Sequence, residues 1–257
     1  MWIPCAEINE LNFDFQEDVK IVLNILKIRN TKIGDEIPDI SNLELVNIDE
    51  ISRFKTAKRA EEHAAGRFLL HEMLMKYYPS IEDSFVEISR DVNRAPYFKW
   101  IEGTFNCSPL PNFSISTSGD FVIVALCSSR YTIGVDIEKL NQKRSYSLFD
   151  FLSTGKELEQ IKKLYQINDN SGINKFWTAK ESILKALRLG MSISPTRIKI
   201  IDENLNYKSI IEYEGAYLHL KTQILKLNED YSFSLAFKKI SHSKIAQVRI
   251  AGIEPTT

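Results

Sequence analysis

Two short segments near the middle of the chain hold residue types that could do chemistry together. The first is Ile133-Gly134-Val135-Asp136-Ile137-Glu138-Lys139. In an extended strand alternate side chains leave on opposite faces, so Val135 and Ile137 face one way and Asp136 and Glu138 the other. Two adjacent carboxylates repel unless a proton or a cation sits between them. A carboxylate-rich, all-oxygen site suits a hard cation such as Mg²⁺, which binds phosphates at the same time. The second segment is Phe176-Trp177-Thr178-Ala179-Lys180-Glu181-Ser182-Ile183-Leu184-Lys185. Its spacing predicts an amphipathic helix. Glu181 and Lys185 stand one turn apart on one face, with Thr178 and Arg188 on the same stripe. Phe176, Ala179, Ile183 and Leu187 form the apolar side. A third carboxylate and a cation can thus converge on one metal–phosphate centre.

The elements that must position these residues follow from pattern. A long helix is expected from about Ile51 to Tyr78, with Phe54, Ala57, Ala64, Phe68, Leu69, Met73 and Tyr77 as its stripe and Pro79 as its stop. A strand at Phe85–Ser89 and a loop from Glu102 to Asn112 follow. Phe113–Ser116 and Phe121–Cys127, joined through Ser118-Gly119-Asp120, read as a hairpin. The polar join from Cys127 to Tyr131 is the expected domain boundary, dividing the chain into 1–128 and 129–257. Beyond it the pattern predicts the Asp136 strand, a helix near Lys156–Leu164, a polar loop from Gln166 to Asn174 and the Glu181 helix. Strands near Thr196–Asp202, Tyr217–Leu225 and Tyr231–Lys238 close the fold, with a loosely held tail after His242.

Composition excludes several classes. The chain has 257 residues, 44% hydrophobic and 26% charged, with a formal net charge of −1. That is an ordinary globular composition with no nucleic-acid-coating surface. Cys5, Cys107 and Cys127 are odd in number and lack a C-x-x-C pair, which argues for reduced thiols rather than a disulfide framework or a zinc cage. His63, His71, His219 and His242 lack metalloprotease spacing. No Lys or Arg precedes Lys20 while acids come early, the opposite of a secretory or transit peptide. The longest apolar run, Phe121 to Cys127, is too short to span a bilayer. A cytoplasmic location is the expectation.

Together the two segments resemble the surfactin/enterobactin type of 4′-phosphopantetheinyl transferase. That family carries a G-(I/V)-D-(I/V)-E strand and a (F/W)-(S/T/A)-x-K-E-(S/A)-x-x-K helix. G-V-D-I-E alone is common; the W-T-A-K-E-S-I-L-K helix downstream makes the pair specific. The resemblance extends from about Arg53 to Lys238. Lys58-Arg59-Ala60-Glu61-Glu62-His63-Ala64-Ala65-Gly66-Arg67 is similar to the family's K-R-x-E-x-x-x-G-R stretch. Asn93-Arg94-Ala95-Pro96 resembles its G-(R/K)-x-P turn, with Asn93, which tolerates positive φ, in the glycine place. Phe113-Ser114-Ile115-Ser116-Thr117-Ser118 resembles its F-(N/S)-(I/L)-S-H-(S/C) strand, with Thr117 where histidine is usual. The family's G-x-G-L is altered to Arg188-Leu189-Gly190-Met191, leaving Gly190 as the expected helix C-cap.

The resemblance implies an α+β fold of two similar halves related by a pseudo-two-fold axis, with coenzyme A in the cleft between them. It implies transfer of the 4′-phosphopantetheine arm of coenzyme A to a serine of an apo acyl or peptidyl carrier protein, releasing 3′,5′-ADP. The alternative is a coenzyme A-binding protein of the same fold that has lost transfer. Asp136, Glu138 and Glu181 would hold Mg²⁺, with Mn²⁺ as a substitute. Glu181 would act as base, and Lys185, with Lys180, would neutralise the leaving phosphate. Arg59, Arg67, Arg94, Ser116 and Thr117 would contact the coenzyme A phosphates; Thr117 can donate one hydrogen bond but never carries charge. A monomer meeting its carrier through apolar contacts beside the cleft is the expected assembly, with no nucleic acid and no membrane involved.

Overall fold

The computed structural model describes residues 8–11, 20–28, 43–82, 85–104, 108–145, 147–166, 170–201, 207–213 and 216–240. Cys5, Cys107, His242 and the tail expected after it lie outside the described residues. The chain divides into two compact units, Met1–Ser89 with Pro96–Ser129, and Arg90–Ala95 with Arg130–Thr257. The six residues Arg90–Ala95 thus group with the second unit, not with the N-terminal half where the sequence places them.

The first unit contains β1 (Ile8–Leu11), β2 (Ile21–Lys27), α1 (Ile48–Ile51), α2 (Ala57–Tyr77), β3 (Val86–Arg90), β4 (Pro96–Trp100), β5 (Asn112–Ser118) and β6 (Phe121–Cys127). Four strands form a sheet in the order β1-β2-β6-β5, while β3 and β4 pair separately. The expected hairpin is present: Ser118 pairs with Phe121 across a two-residue turn in which Gly119 takes φ 58°. The long helix expected from about Ile51 begins only at Ala57, with the short α1 ending at Ile51 before it. Thr56 is extended (φ −139°, ψ 144°), and its hydroxyl accepts the Arg59 amide at 3.3 Å, so α2 can only begin at Ala57. Ala64, Leu69 and Met73 on α2 and Val122, Val124 and Leu126 on β6 are fully buried. Gly66 lets α2 approach β5 closely, since a β-carbon there would stand 3.1 Å from Ile115 Cγ2.

The second unit contains β7 (Tyr131–Lys139), α3 (Ser147–Leu152), α4 (Gly155–Gln166), α5 (Asn170–Leu187), β8 (Ile198–Ile201), β9 (Tyr207–Tyr213), β10 (Ala216–Lys226) and β11 (Tyr231–Lys239). Its sheet runs β7-β11-β10-β9-β8, antiparallel throughout. The loop expected from Gln166 to Asn174 is shorter, because α5 already begins at Asn170.

Register explains why α5 can lie so close to β7. Directly opposite residues of an antiparallel pair share a face. Gly134 pairs with Ala236, Asp136 with Ser234 and Glu138 with Ser232. The β11 members of that face are all small, and Ser182 of α5 reaches Ser234, with 2.9 Å between hydroxyl oxygens. Gly134 is the tightest point: a β-carbon there would stand 2.0 Å from the Ser182 carbonyl oxygen and 2.3 Å from the Ala186 nitrogen. The glycine of the G-V-D-I-E strand is therefore required by helix–strand contact. The other face, with Val135, Ile137, Phe233 and Leu235, is buried too, so β7 is covered on both sides.

Gly190 does not cap α5. The Leu189 amide donates to Leu184 O at 3.2 Å and the Arg188 amide to Lys185 O at 3.0 Å. This bond pair closes the helix with Arg188 in the left-handed conformation, φ 58°. Leu184 and Leu189 supply the accompanying apolar contact within one buried cluster.

Candidate active site

β7 and α5 bring the chemistry-bearing residues of the second unit together. Asp136 is only 5% exposed and receives the Lys185 ammonium, Nζ to Oδ1 at 2.7 Å. The same ammonium donates to the Val135 carbonyl at 3.1 Å. Lys185 is therefore anchored at two points on the strand. Such a charge-assisted pair holds its geometry better than a solvent-exposed helix pair.

Glu138 is framed by residues that the sequence reading assigned no role. Trp177 donates its indole N–H to Glu138 Oε1 at 3.0 Å. Arg144 faces Oε2 at 3.1 Å and stacks its guanidinium 5.1 Å from the Trp177 ring centroid. Asn174 fixes Arg144 by accepting from Nε at 2.7 Å, while its own amide donates to Leu140 O at 2.8 Å and Gln142 O at 2.9 Å. A helical signal exists for two of these: Trp177 is four residues before Glu181 and Asn174 four before Thr178, on the stripe already noted. Arg144 carries no such signal, because it lies beyond the strand in an irregular segment.

The electrostatics couple the three carboxylates. Burial raises the Glu181 pKa above its ordinary 4.5; the Asp136 charge adds to this, Lys185 opposes it, and Glu138 raises it further. Glu138 is also raised, by burial and then by Asp136, against the pull of Arg144 and Trp177. A carboxyl of heightened proton affinity is better suited to accept a proton than an ordinary surface acid. Three mutually repelling carboxylates are also the donor chemistry of a hard divalent cation. They do not form a closed cage, however: among the described residues no group of three His, Cys, Asp or Glu side chains stands ready to hold a metal ion.

Lys180 departs from the expectation. Its side chain is 1% exposed, and Nζ donates to Leu152 O (2.7 Å), Ser153 Oγ (2.8 Å), Glu157 Oε2 (2.6 Å) and Pro195 O (3.3 Å). With all its donors engaged in the interior it cannot serve a leaving phosphate. It ties α5 to α3, to α4 and to the short 3₁₀ turn Pro195–Arg197. Burial lowers its pKa and Glu157 opposes that shift. Thr178 is also turned away from the carboxylates, its hydroxyl donating to Asn174 O at 2.7 Å.

The turn Asp91–Ala95 differs in detail. The left-handed residue is Arg94, φ 64°, and not Asn93. Asp91 Oδ1 accepts the amides of Asn93 (3.0 Å) and Ala95 (2.9 Å), which fixes the turn so that the αL position falls one residue later. Arg94 is exposed.

In the first unit, the two arginines carried over from the resemblance have different surroundings. Arg59 has a side chain 71% exposed and pairs with Glu62 at 2.9 Å. Arg67 is 5% exposed at the side chain and faces Glu50 at 3.1 Å, with Nε donating to His63 Nε2 at 3.5 Å. An arginine open to a phosphate describes Arg59 and not Arg67, which sits inside a Glu50–His63 pocket with the Phe54 ring tilted against His63 at 4.9 Å between centroids. Ser116 is buried and Thr117 half-buried on β5.

Residues 132–236 match the family model of the 4′-phosphopantetheinyl transferase superfamily. The L-aminoadipate-semialdehyde dehydrogenase-phosphopantetheinyl transferase of Rattus norvegicus is 27% identical over 161 residues, 59% of this chain and 50% of the relative. The human protein of the same name is 25% identical over 167 residues, 62% and 52% of the two chains. A phosphopantetheinyl transferase of Thraustochytrium is 24% identical over 225 residues, 80% of this chain and 75% of the relative. The chain thus spans about half the length of the rat and human relatives. Among the described residues no helix is long and apolar enough to cross a membrane.

Proposed function

We propose that this protein transfers the 4′-phosphopantetheine arm of coenzyme A to the serine hydroxyl of an apo carrier protein and releases 3′,5′-ADP. The observation that carries the reading is the Lys185 ammonium held 2.7 Å from Asp136 beside two carboxylates of raised proton affinity, inside the segment matched by the superfamily.

A serine hydroxyl is a weak nucleophile near neutral pH and needs a base beside it. Glu181 is that base. The serine oxygen attacks the phosphorus bearing the pantetheine arm, its proton passes to Glu181, and the bond to 3′,5′-ADP breaks with the electron pair leaving on the departing phosphate. Lys185, anchored on β7, presents positive charge to that phosphate. Arg59, Arg94, Ser116 and Thr117 are the candidate contacts for the coenzyme A phosphates. Asp136, Glu138 and Glu181 would hold a divalent cation, Mg²⁺ or Mn²⁺, which supplies charge neutralisation during phosphoryl transfer. The Arg144–Trp177 frame holds both carboxylate oxygens of Glu138 in place.

The test is intact mass measurement of an apo carrier after incubation with this protein, coenzyme A and Mg²⁺. A gain of one phosphopantetheine group, with 3′,5′-ADP in the supernatant, supports the reading. Coenzyme A binding without any mass gain would assign instead a binding protein of the same fold.

A further inference from the structure

Among the described residues three non-glycine residues have positive φ: Leu45, Arg94 and Arg188. A side chain disfavours that backbone region. The two arginines are joined through one carboxylate. Asp91 Oδ2 accepts from Arg188 Nε at 3.0 Å and lies 3.0 Å from its Nη2. Its other oxygen, Oδ1, organises the turn that carries Arg94. Arg188 Nη2 also donates to Ala95 O at 3.3 Å, and Arg90 Nη1 donates to Arg94 O at 3.0 Å. The turn lies against the end of α5, since a β-carbon on Gly190 would come within 3.8 Å of Asn93 O.

Glycine would close α5 in this conformation without a steric penalty. Arginine gives up that ease, and what it adds is the clasp on Asp91. The clasp sets the exposed Arg94 relative to the helix that carries Glu181 and Lys185. A cation held in place before its ligand arrives binds better than one that must be ordered on binding. We propose that Arg188 is a positioning residue: through Asp91 it pre-organises Arg94 for the phosphates of coenzyme A. This rests on the reading of coenzyme A as the donor substrate.

The measurements are calorimetric binding of coenzyme A and the KM and kcat of transfer, with melting temperature as control. The variants are R188G, D91N, R94A and R188G with R94A. R188G removes both the backbone strain and the clasp. Its affinity is expected to fall about tenfold and its KM to rise about as much, with kcat within about twofold and melting not lowered. D91N keeps an oxygen for the turn and weakens only the charged clasp, so a smaller loss in the same direction is expected. R188G with R94A should bind no more weakly than R94A alone, because Arg188 acts only through Arg94. Wild-type affinity in R188G, or losses that simply multiply in the double variant, would overturn the proposal. A lowered kcat at constant KM would do so too. Wild-type protein that binds no coenzyme A would overturn the donor reading itself, a distinct result.

Discussion

Lys180 and Lys185 stand five residues apart on α5 and meet opposite surroundings. Lys180 points into the interior, where two carbonyls, a hydroxyl and Glu157 accept its hydrogen bonds. Lys185 is 30% exposed at the side chain and holds Asp136 at the edge of the carboxylate cluster. Both lysines belong to the same short motif, yet the first joins helices and the second faces the carboxylates of β7. On a helix, five residues turn the side chain by about 140°, to nearly the far side. What separates the two is which face of α5 each lysine occupies.

The strongest way to sharpen that contrast is Lys180→Met. It strands Glu157 as a buried charge, and breaking such a pair costs about 3–5 kcal/mol. A large drop in melting temperature is expected, with activity per folded molecule nearly unchanged. Adding Glu157→Leu should recover much of the stability. A fully stable, inactive Lys180→Met would instead return Lys180 to the phosphate.

Lys185→Met should behave in the reverse way. The aliphatic stem is kept, so melting changes little, while turnover falls about 10²–10³-fold. Steady-state kinetics on the folded variant reads this directly. An unaltered kcat would leave Lys185 as a structural tie to β7.

A smaller effect follows from pH. Glu181 and Glu138 bind protons more tightly in the folded state than their ordinary value of 4.5. Between that value and the raised one, the folded state carries more protons than the unfolded. Stability therefore falls as pH rises through the window and stays lower above it. In metal-free buffer Glu181→Gln should melt higher than wild type at neutral pH, and the two should converge as pH falls below the ordinary carboxylate value. Mg²⁺ should raise wild-type melting and raise the variant less. A variant that melts lower than wild type at neutral pH would contradict the repulsion.

Much of this was open to reading in the sequence, and the misses have physical reasons. Alternation along β7 puts Asp136 and Glu138 on one face, and an i,i+4 rule puts Glu181 and Lys185 on one face of the helix; both depend only on local geometry. The direction of Lys180 depends on Glu157, Ser153 and Pro195, which only tertiary packing brings to it. The break before α2 is written in Thr56, but the apolar stripe runs across it. β2 is buried along nearly its whole length, so Ile21–Lys27 shows no alternation to mark a strand. Gly190 resembles a helix cap, whereas the residue that adopts the capping conformation is an arginine stabilised by Asp91.

The smallest expected effect is at Thr117, half-buried on β5. A histidine there could carry charge and a threonine cannot. Thr117→His should increase the preference for coenzyme A over dephospho-coenzyme A by about 1 kcal/mol, close to fivefold, most clearly below about pH 6.5. The ratio of transfer efficiencies for the two donors across pH measures it. An unchanged ratio would remove Thr117 from the 3′-phosphate.

The most direct test of the carboxylate centre compares wild type with Asp136→Ala in one transfer assay. The apo carrier is weighed intact after incubation with coenzyme A and Mg²⁺, and the melting of both proteins is recorded. Wild type should add one phosphopantetheine group to the carrier. Asp136→Ala should fold, because the apolar face of β7 is untouched, and should add none. Equal mass gain from both proteins would contradict a chemistry centred on Asp136, Glu181 and Lys185.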